Sequence, residues 1–227
     1  LALRLELDSG GLDAASVRLA LAELDLHEGE VPAARERLRT ASETAAARAP
    51  GSLVESRARH LLAGLLWAAD ARGEALVEDV AALDAFERRR EQLGGDWLQR
   101  MRFGASHREL YVDAIERRLA VDRPAEAFAI EERYRAYERR RLLAGRVPLP
   151  TLDAAALRID ELAAALGRDE AVLSWVVGDE RTHAFLMTAA GLAVRTLPLG
   201  EEDLQREVDA IAVLLGVARP DREQREA

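Results

Sequence analysis

The chain contains no cysteine and no lysine, and each absence excludes a class of chemistry. Without cysteine, these residues can form no disulfide, no thiolate metal site and no cysteine nucleophile. All basic side chains other than histidine are arginines, and the net charge is −9 at pH 7. This acidic balance argues against a nucleic-acid partner, because phosphate binding requires a basic surface. No apolar run approaches the roughly 20 residues of a membrane helix, so no membrane partner is expected.

Signatures of catalysis and of cofactor binding are also missing. The four histidines, His27, His60, His107 and His183, are scattered without the spacing of metal ligands. No glycine-rich phosphate-binding motif occurs. Ser174 lies inside an apolar run, which does not expose a nucleophile to a base. We therefore expect no catalytic residue, no cofactor and no metal site in this segment, and we expect a structural role for His183.

Residues 1–145 have the apolar spacing of successive helices. We predict that Asp13 caps the first of them. Ser52 followed by Glu55 predicts a capping box at the start of the third helix, and Gly73 is predicted to end that helix. The first part of the chain is therefore expected to be almost wholly helical.

The pattern changes after a proline-punctuated linker at residues 146–152. Residues 153–227 are predicted to form an α+β region, with a three-stranded antiparallel meander between two helices. The predicted strands are 171–177, 183–188 and 192–197. The first strand is almost wholly apolar, as expected of a strand covered on both faces. Either further chain or a partner is therefore expected to complete this sheet.

An internal repeat relates two helical blocks within residues 1–145. The alignment pairs Gly29 with Asp122, Ala34 with Ala127, Glu23 with Glu116, and Leu26 with Leu119. Each block consists of a helix, a tight turn and a second helix with a small residue at the close contact. This arrangement resembles the tetratricopeptide repeat of about 34 residues, although most of its aromatic and proline positions are missing. A generic helical bundle is the alternative.

The repeat resemblance implies a candidate groove. First helices line the concave face of such repeats, so Glu23, Leu26, Glu116 and Leu119 are expected to form a mildly acidic groove with an apolar floor. A groove of this kind suits a protein or peptide segment that carries arginine or lysine, including a segment of the same parent chain.

A second resemblance covers the later part of the chain. Residues 123–128, with the arginine-rich helix that follows, resemble the last repeat before a CHAT domain. CHAT domains are caspase- and separase-like modules that commonly follow tetratricopeptide repeats in bacteria. Residues 169–179, with the sequence DEAVLSWVVGD, resemble the first strand and turn of that domain. The histidine and cysteine of the family's catalytic dyad lie beyond residue 227 and map to no position here.

These resemblances imply a regulatory, protein-binding arm of a cytoplasmic bacterial protein whose downstream part is a caspase-like cysteine peptidase. The chain begins at Leu1 without a methionine, so it is expected to be part of that longer protein, cut before the dyad. The alternative is a non-enzymatic scaffold with an inactive CHAT-like domain. An all-helical sensor arm of a transcription regulator is a third interpretation, which the strand-like runs disfavour.

Overall fold

The computed structural model describes residues 11–92, 107–143 and 159–214. The chain divides into two compact units, Leu1–Ala154 and Ala155–Ala227. In the described part, the structure contains eight helices and one three-stranded antiparallel sheet, which confirms the predicted α+β class. The predicted linker at residues 146–152 lies outside the described residues. None of the described helices has both the length and the apolar character needed to cross a membrane.

The described part of the first unit consists of three successive helix pairs. Its helices are α1 (Leu12–Glu28), α2 (Val31–Arg48), α3 (Leu53–Ala68), α4 (Arg72–Gln92), α5 (Arg108–Ala120) and α6 (Pro124–Leu143). Helices α1 and α2, α3 and α4, and α5 and α6 form the pairs, and each second helix also packs on the next first helix. An apolar cluster between α1 and α4 is built largely from small side chains and leucines, including Ala22, Leu38, Ala41, Ala58 and Leu62.

All three pairs are joined by the same turn. Gly29, Asp70 and Asp122 occupy the left-handed region, with φ of 81°, 60° and 56°. The amide of the next residue donates to a carbonyl five residues earlier, with N···O distances of 2.7, 2.9 and 2.9 Å. This is the Schellman arrangement, in which the turn satisfies the last carbonyls of the first helix. The middle pair, α3 and α4, which the sequence alignment of two blocks did not include, therefore has the same turn as the other two pairs.

The small residue predicted at each helix contact is present in every pair. Ala34, Ala75 and Ala127 stand five residues after the three turn residues, and each is completely buried. A methyl side chain at this point allows the second helix to approach the first closely, and a larger side chain would hold the two helices apart.

Two predicted helix boundaries are wrong. Helix α1 has Gly11 as its N-cap, and Asp13 lies in its first turn, where a negative charge is favourable to the helix dipole. Gly73 lies inside α4 rather than at the end of α3, because Asp70 already supplies the left-handed turn residue. The prediction placed this boundary several residues too late, because it took the glycine near the helix end for the turn residue.

The capping box of α3 is present in altered form. The Ser52 hydroxyl accepts a hydrogen bond from the Glu55 amide at 3.2 Å, as predicted. The Glu55 carboxylate accepts from the amide of Gly51 at 2.8 Å, one residue before the cap. Gly51 has a φ of 81° and packs against Arg88 of α4, so this helix start also contacts the second helix of the pair.

The second unit contains a short helix, a meander and an amphipathic helix. Its elements are α7 (Ile159–Ala165), β1 (Ala171–Val177), β2 (Thr182–Thr188), β3 (Gly191–Leu197) and α8 (Glu201–Leu214). The sheet order is β1-β2-β3 with antiparallel pairing throughout. The predicted meander is thus confirmed, with strand ends that differ by no more than one residue.

The two faces of this sheet differ in solvent exposure. The buried residues of β1 and β2 that share one face are Ser174, Val176, His183, Phe185 and Met187. On the other face, Leu173 and Trp175 are 57% and 54% exposed, and Leu186 and Leu197 are also exposed. Within the described residues, the apolar first strand is therefore covered on one face only.

Candidate functional site

A single arginine links the first helices of all three pairs. The Nε atom of Arg57 on α3 lies 3.2 Å from Oε1 of Glu23 on α1. The Nη1 atom of the same side chain lies 2.9 Å from Oε1 of Glu109 on α5. All three side chains are about half exposed. Helices α1, α3 and α5 therefore contribute to one continuous, solvent-facing surface.

Further polar residues line this surface and complete the candidate site. We call the site the first-helix face, and we define it by these residues: Glu23, Arg57, His60, Glu109, Asp113 and Arg117. The spacing is regular, because His60 is one turn beyond Arg57 on α3 and Asp113 is one turn beyond Glu109 on α5.

His60 is a buried, neutral member of the first-helix face. It is 8% exposed, and its Nε2 lies 3.7 Å from Oδ2 of Asp113, beyond hydrogen-bonding distance. Burial is the main cause that lowers the pKa of His60 to about 4; the charges of Arg117 and Arg57 act in the same direction, and Glu109 acts in the opposite direction. The imidazole is therefore neutral at pH 7, and no hydrogen bond reaches it within the described part of the chain.

Arg117 is held rigidly by a buried acid. Its Nη1 donates to the carboxylate of Asp79 on α4, and its Nη2 lies 2.9 Å from Oδ2 of Asp113. The Asp79 side chain is 1% exposed and also contacts Arg118, which donates to the Leu76 carbonyl at 3.0 Å. Burial raises the pKa of Asp79, and the two arginines oppose that rise. This cluster fixes α5 on α4 and thereby fixes Arg117 in the first-helix face.

A second polar cluster connects α4 to α5 and α6. Arg133 of α6 donates to Asp84 at 2.6 Å and to Glu87 at 2.9 Å, both on α4. The Tyr111 hydroxyl of α5 donates to the same Glu87 carboxylate at 2.9 Å. Burial is the main cause that raises the pKa of Tyr111, so the phenol stays protonated. The last two pairs are therefore joined by directional contacts, which hold the surface in one shape.

Gly64 interrupts the polar surface of α3. It stands six residues before Asp70, at the position that Glu23 and Glu116 occupy in the other two pairs. A Cβ at Gly64 would lie 3.7 Å from Nη2 of Arg117, an ordinary contact distance. Packing does not require a glycine here, although glycine destabilises a helix interior by about 0.5–1 kcal/mol. The side-chain-free position leaves room beside Arg117.

The four predicted groove residues are only partly brought together. Glu23 is exposed and forms an ion pair with Arg57. Glu116 is half-buried two turns beyond Glu109, on the same side of α5. Leu26 and Leu119 are half-buried near the turns of their pairs. The acidic groove built on these four residues stays a prediction.

The central residues of the first-helix face were missed in the sequence. Arg57 and His60, together with Gly64 on the same helix, belong to the middle pair, which was not aligned with the other two. The signal that could have found them is Asp70 followed five residues later by Ala75, the same spacing as Gly29 to Ala34.

The second unit offers no comparable arrangement among its described residues. His183 is 3% exposed on the covered face, and its Nδ1 lies 3.0 Å from Oγ1 of Thr196 on β3. Ser174 is buried on the same face, and its hydroxyl has no hydrogen-bond partner within the described part of the chain. Neither side chain is accessible to a substrate from solvent. No group of three potential metal ligands occurs in the described ranges of either unit.

Comparison with known proteins adds no relative: no family model, no curated protein and no solved structure matches the chain.

Proposed function

We propose that the first unit is a protein-binding arm of the tetratricopeptide type, joined to the opening strands of a CHAT-like domain. The three pairs with identical Schellman turns and a buried alanine at each close contact support a true repeat rather than a generic bundle. The CHAT-like sequence at residues 169–179 coincides with β1 and the turn after it. The arm would bind a segment and regulate a caspase-like peptidase site located in later chain.

The observation that carries this proposal is the bridge from Glu23 through Arg57 to Glu109. A surface shared by three first helices is the form in which helical repeats bind extended segments. Packed helix axes lie about 8–10 Å apart, so a segment that crosses three of them spans about 20 Å. That distance corresponds to roughly six extended residues.

The charges of this surface favour a basic segment. Three acids of the first-helix face, Glu23, Glu109 and Asp113, stand against two arginines, Arg57 and Arg117, while His60 is neutral. The formal charge of these residues is −1 at pH 7, and Glu116 adds a further acid on the same side of α5. Exposed charges contribute little free energy each and are screened by salt, so we expect weak and salt-sensitive binding.

Peptide binding by the full chain tests this proposal. Fluorescence anisotropy with labelled peptides of about nine residues, each with arginine or with uncharged citrulline at the same positions, measures whether basic segments are preferred. We expect binding of the arginine peptides only, and weaker binding when salt is raised from about 50 to 300 mM, because the Debye length shortens.

The variant Glu109→Gln tests whether the peptide binds at the first-helix face. It removes one acid of the first-helix face and should weaken binding about threefold to tenfold. Glu43→Gln is the matched control, because Glu43 is exposed on α2, a second helix. Equal weakening by both variants, or no preference for arginine over citrulline, would contradict the proposed function.

A further inference from the structure

Arg57 occupies the place in which the basic side chain of a ligand would be expected. Its guanidinium presents Nε to Glu23 and Nη1 to Glu109, two carboxylates on different helices. Guanidinium groups match carboxylates in geometry and carry several donors in a fixed fork. The structure therefore contains an observed guanidinium site between α1 and α5, filled by the chain's own arginine.

The two arginines of the first-helix face differ in freedom. Arg117 is 11% exposed and is held by an acid that is 1% exposed, so it is fixed. Arg57, Glu23 and Glu109 are each about half exposed. Exposed ion pairs of this type contribute little stability and exchange readily with solvent. Of these two arginines, Arg57 is the one that can leave its partners at small cost.

The surroundings of Arg57 leave polar groups and space for an incoming segment. The ring of His60, one turn along α3, is nine-tenths buried, receives no hydrogen bond within the described residues, and points its Nε2 towards Asp113. A neutral imidazole donates a hydrogen bond from one ring nitrogen and accepts one at the other. Gly64, one turn further, adds no side chain to the surface. His60 and Gly64 are independent of the acid pair and follow Arg57 along α3.

We propose that Arg57 is a built-in competitor: an arginine of a bound segment takes its place between Glu23 and Glu109, and Arg57 turns out into solvent. This inference rests on the proposed function and adds the partner's chemistry and a threshold for binding. Because Arg57 already occupies the site in the free arm and cancels one of its two negative charges, only a segment that offers further contacts displaces Arg57. Removal of the Arg57 charge should therefore strengthen binding of an arginine peptide.

The test compares Arg57→Gln with a matched control in the full chain. The probe is a fluorescein-labelled peptide of about nine residues, with two arginines among alanines and serines. Its twin carries citrulline in place of both arginines. Arg39→Gln makes the same change of charge on α2, where Arg39 forms a long exposed pair with Glu36 at 3.8 Å. Circular dichroism checks that each variant is folded, and Arg57→Met provides a second replacement that keeps an apolar stem.

We expect Arg57→Gln and Arg57→Met to bind the arginine peptide about threefold to tenfold more tightly than the wild type, with no gain for the citrulline twin. Arg39→Gln should change the affinity less than about twofold, since a distant charge is screened. An affinity that is unchanged or reduced at position 57, relative to Arg39→Gln, would overturn the competitor role. In that case, arginine-specific binding by the wild type, weakened by Glu109→Gln, would leave the proposed function standing. Absence of arginine-specific binding in every variant would overturn both.

Discussion

At the scale of single residues, His60 of α3 is a neutral imidazole that lies near two guanidinium groups, those of Arg57 and Arg117. Four charged side chains face His60: Arg57 on its own helix, and Glu109, Asp113 and Arg117 on α5. The short distance to Asp113 does not make an ion pair at pH 7, because burial and the arginines lower the pKa of His60 to about 4. Its contribution at neutral pH is therefore that of a packed ring.

This environment predicts a pH dependence of stability. In the unfolded chain His60 takes up a proton near pH 6.5, whereas in the folded chain it does so near pH 4. Its stabilising effect is complete above pH 6.5 and is lost as the pH falls towards 4, because the unfolded state binds the proton first. Between pH 7 and pH 4, the wild type should lose about 3 kcal/mol more unfolding free energy than His60→Gln.

Urea denaturation at a series of pH values measures this difference. His27→Gln is the control, because His27 is exposed near the end of α1. The control should follow the wild-type pH curve. Parallel curves for the wild type and His60→Gln would show that His60 does not supply the slope.

At the scale of elements, the turns between paired helices are the feature that recurs in every pair. Asp70 and Asp122 adopt the left-handed conformation that Gly29 adopts without a side chain. A side chain at positive φ is strained, and aspartate tolerates this region better than most residues. The identical hydrogen bonds of the three turns impose this conformation whichever residue is present.

The turn geometry predicts that Asp122→Gly stabilises the chain. The substitution removes the strain of a left-handed side chain, and we expect a gain of about 0.5–1 kcal/mol in unfolding free energy. Asp122→Ala should lower stability, because alanine has no side-chain compensation at positive φ. Chemical denaturation of the three proteins in parallel provides the measurement. A loss of stability with glycine would mean that the Asp122 carboxylate contributes more than the turn costs.

At the scale of the whole molecule, the two units are stabilised in different ways. The described helices of the first unit combine a small-residue core with buried ion pairs such as that of Asp79 and Arg117. The sheet of the second unit instead has one buried face and one exposed apolar face that includes Leu173 and Trp175. Exposed apolar area of this kind marks an interaction surface or an aggregation hazard.

The unequal faces of the sheet predict unequal effects of substitution. Leu173 and Leu186 are directly opposite on the open face, and their joint replacement by threonine should change unfolding free energy by only about 0.5 kcal/mol. Binding of a hydrophobic dye should fall. Phe185→Ala, on the covered face, should cost about 3–5 kcal/mol.

Hydrogen exchange of the sheet amides, read by mass spectrometry, reports the stability of this unit separately from the helices. The double threonine variant should retain wild-type protection, and Phe185→Ala should lose it. Comparable loss in both variants would mean that the face bearing Leu173 is covered in solution.

Local patterns were sufficient for the elements of this chain. Apolar spacing gave the helices, and the change to short apolar runs at Ala171 gave the meander, because both depend on which neighbours along the chain share a face. The Ser52 cap followed in the same way. Helix ends near Asp13 and Gly73 were wrong, because several nearby residues could serve as cap or turn residue and only the packed pair selects one.

The amino-acid sequence by itself determined the helical arm, the sheet and the absence of cysteine chemistry in these residues. Only the tertiary structure decided the candidate site, because Glu23, Arg57 and Glu109 are 34 and 52 residues apart and meet through helix packing. The neutrality of His60 likewise depends on burial and on charges from α5. Long-range contacts of this kind leave no periodic trace in a single sequence, since each partner alone has the pattern of an ordinary solvated helix residue.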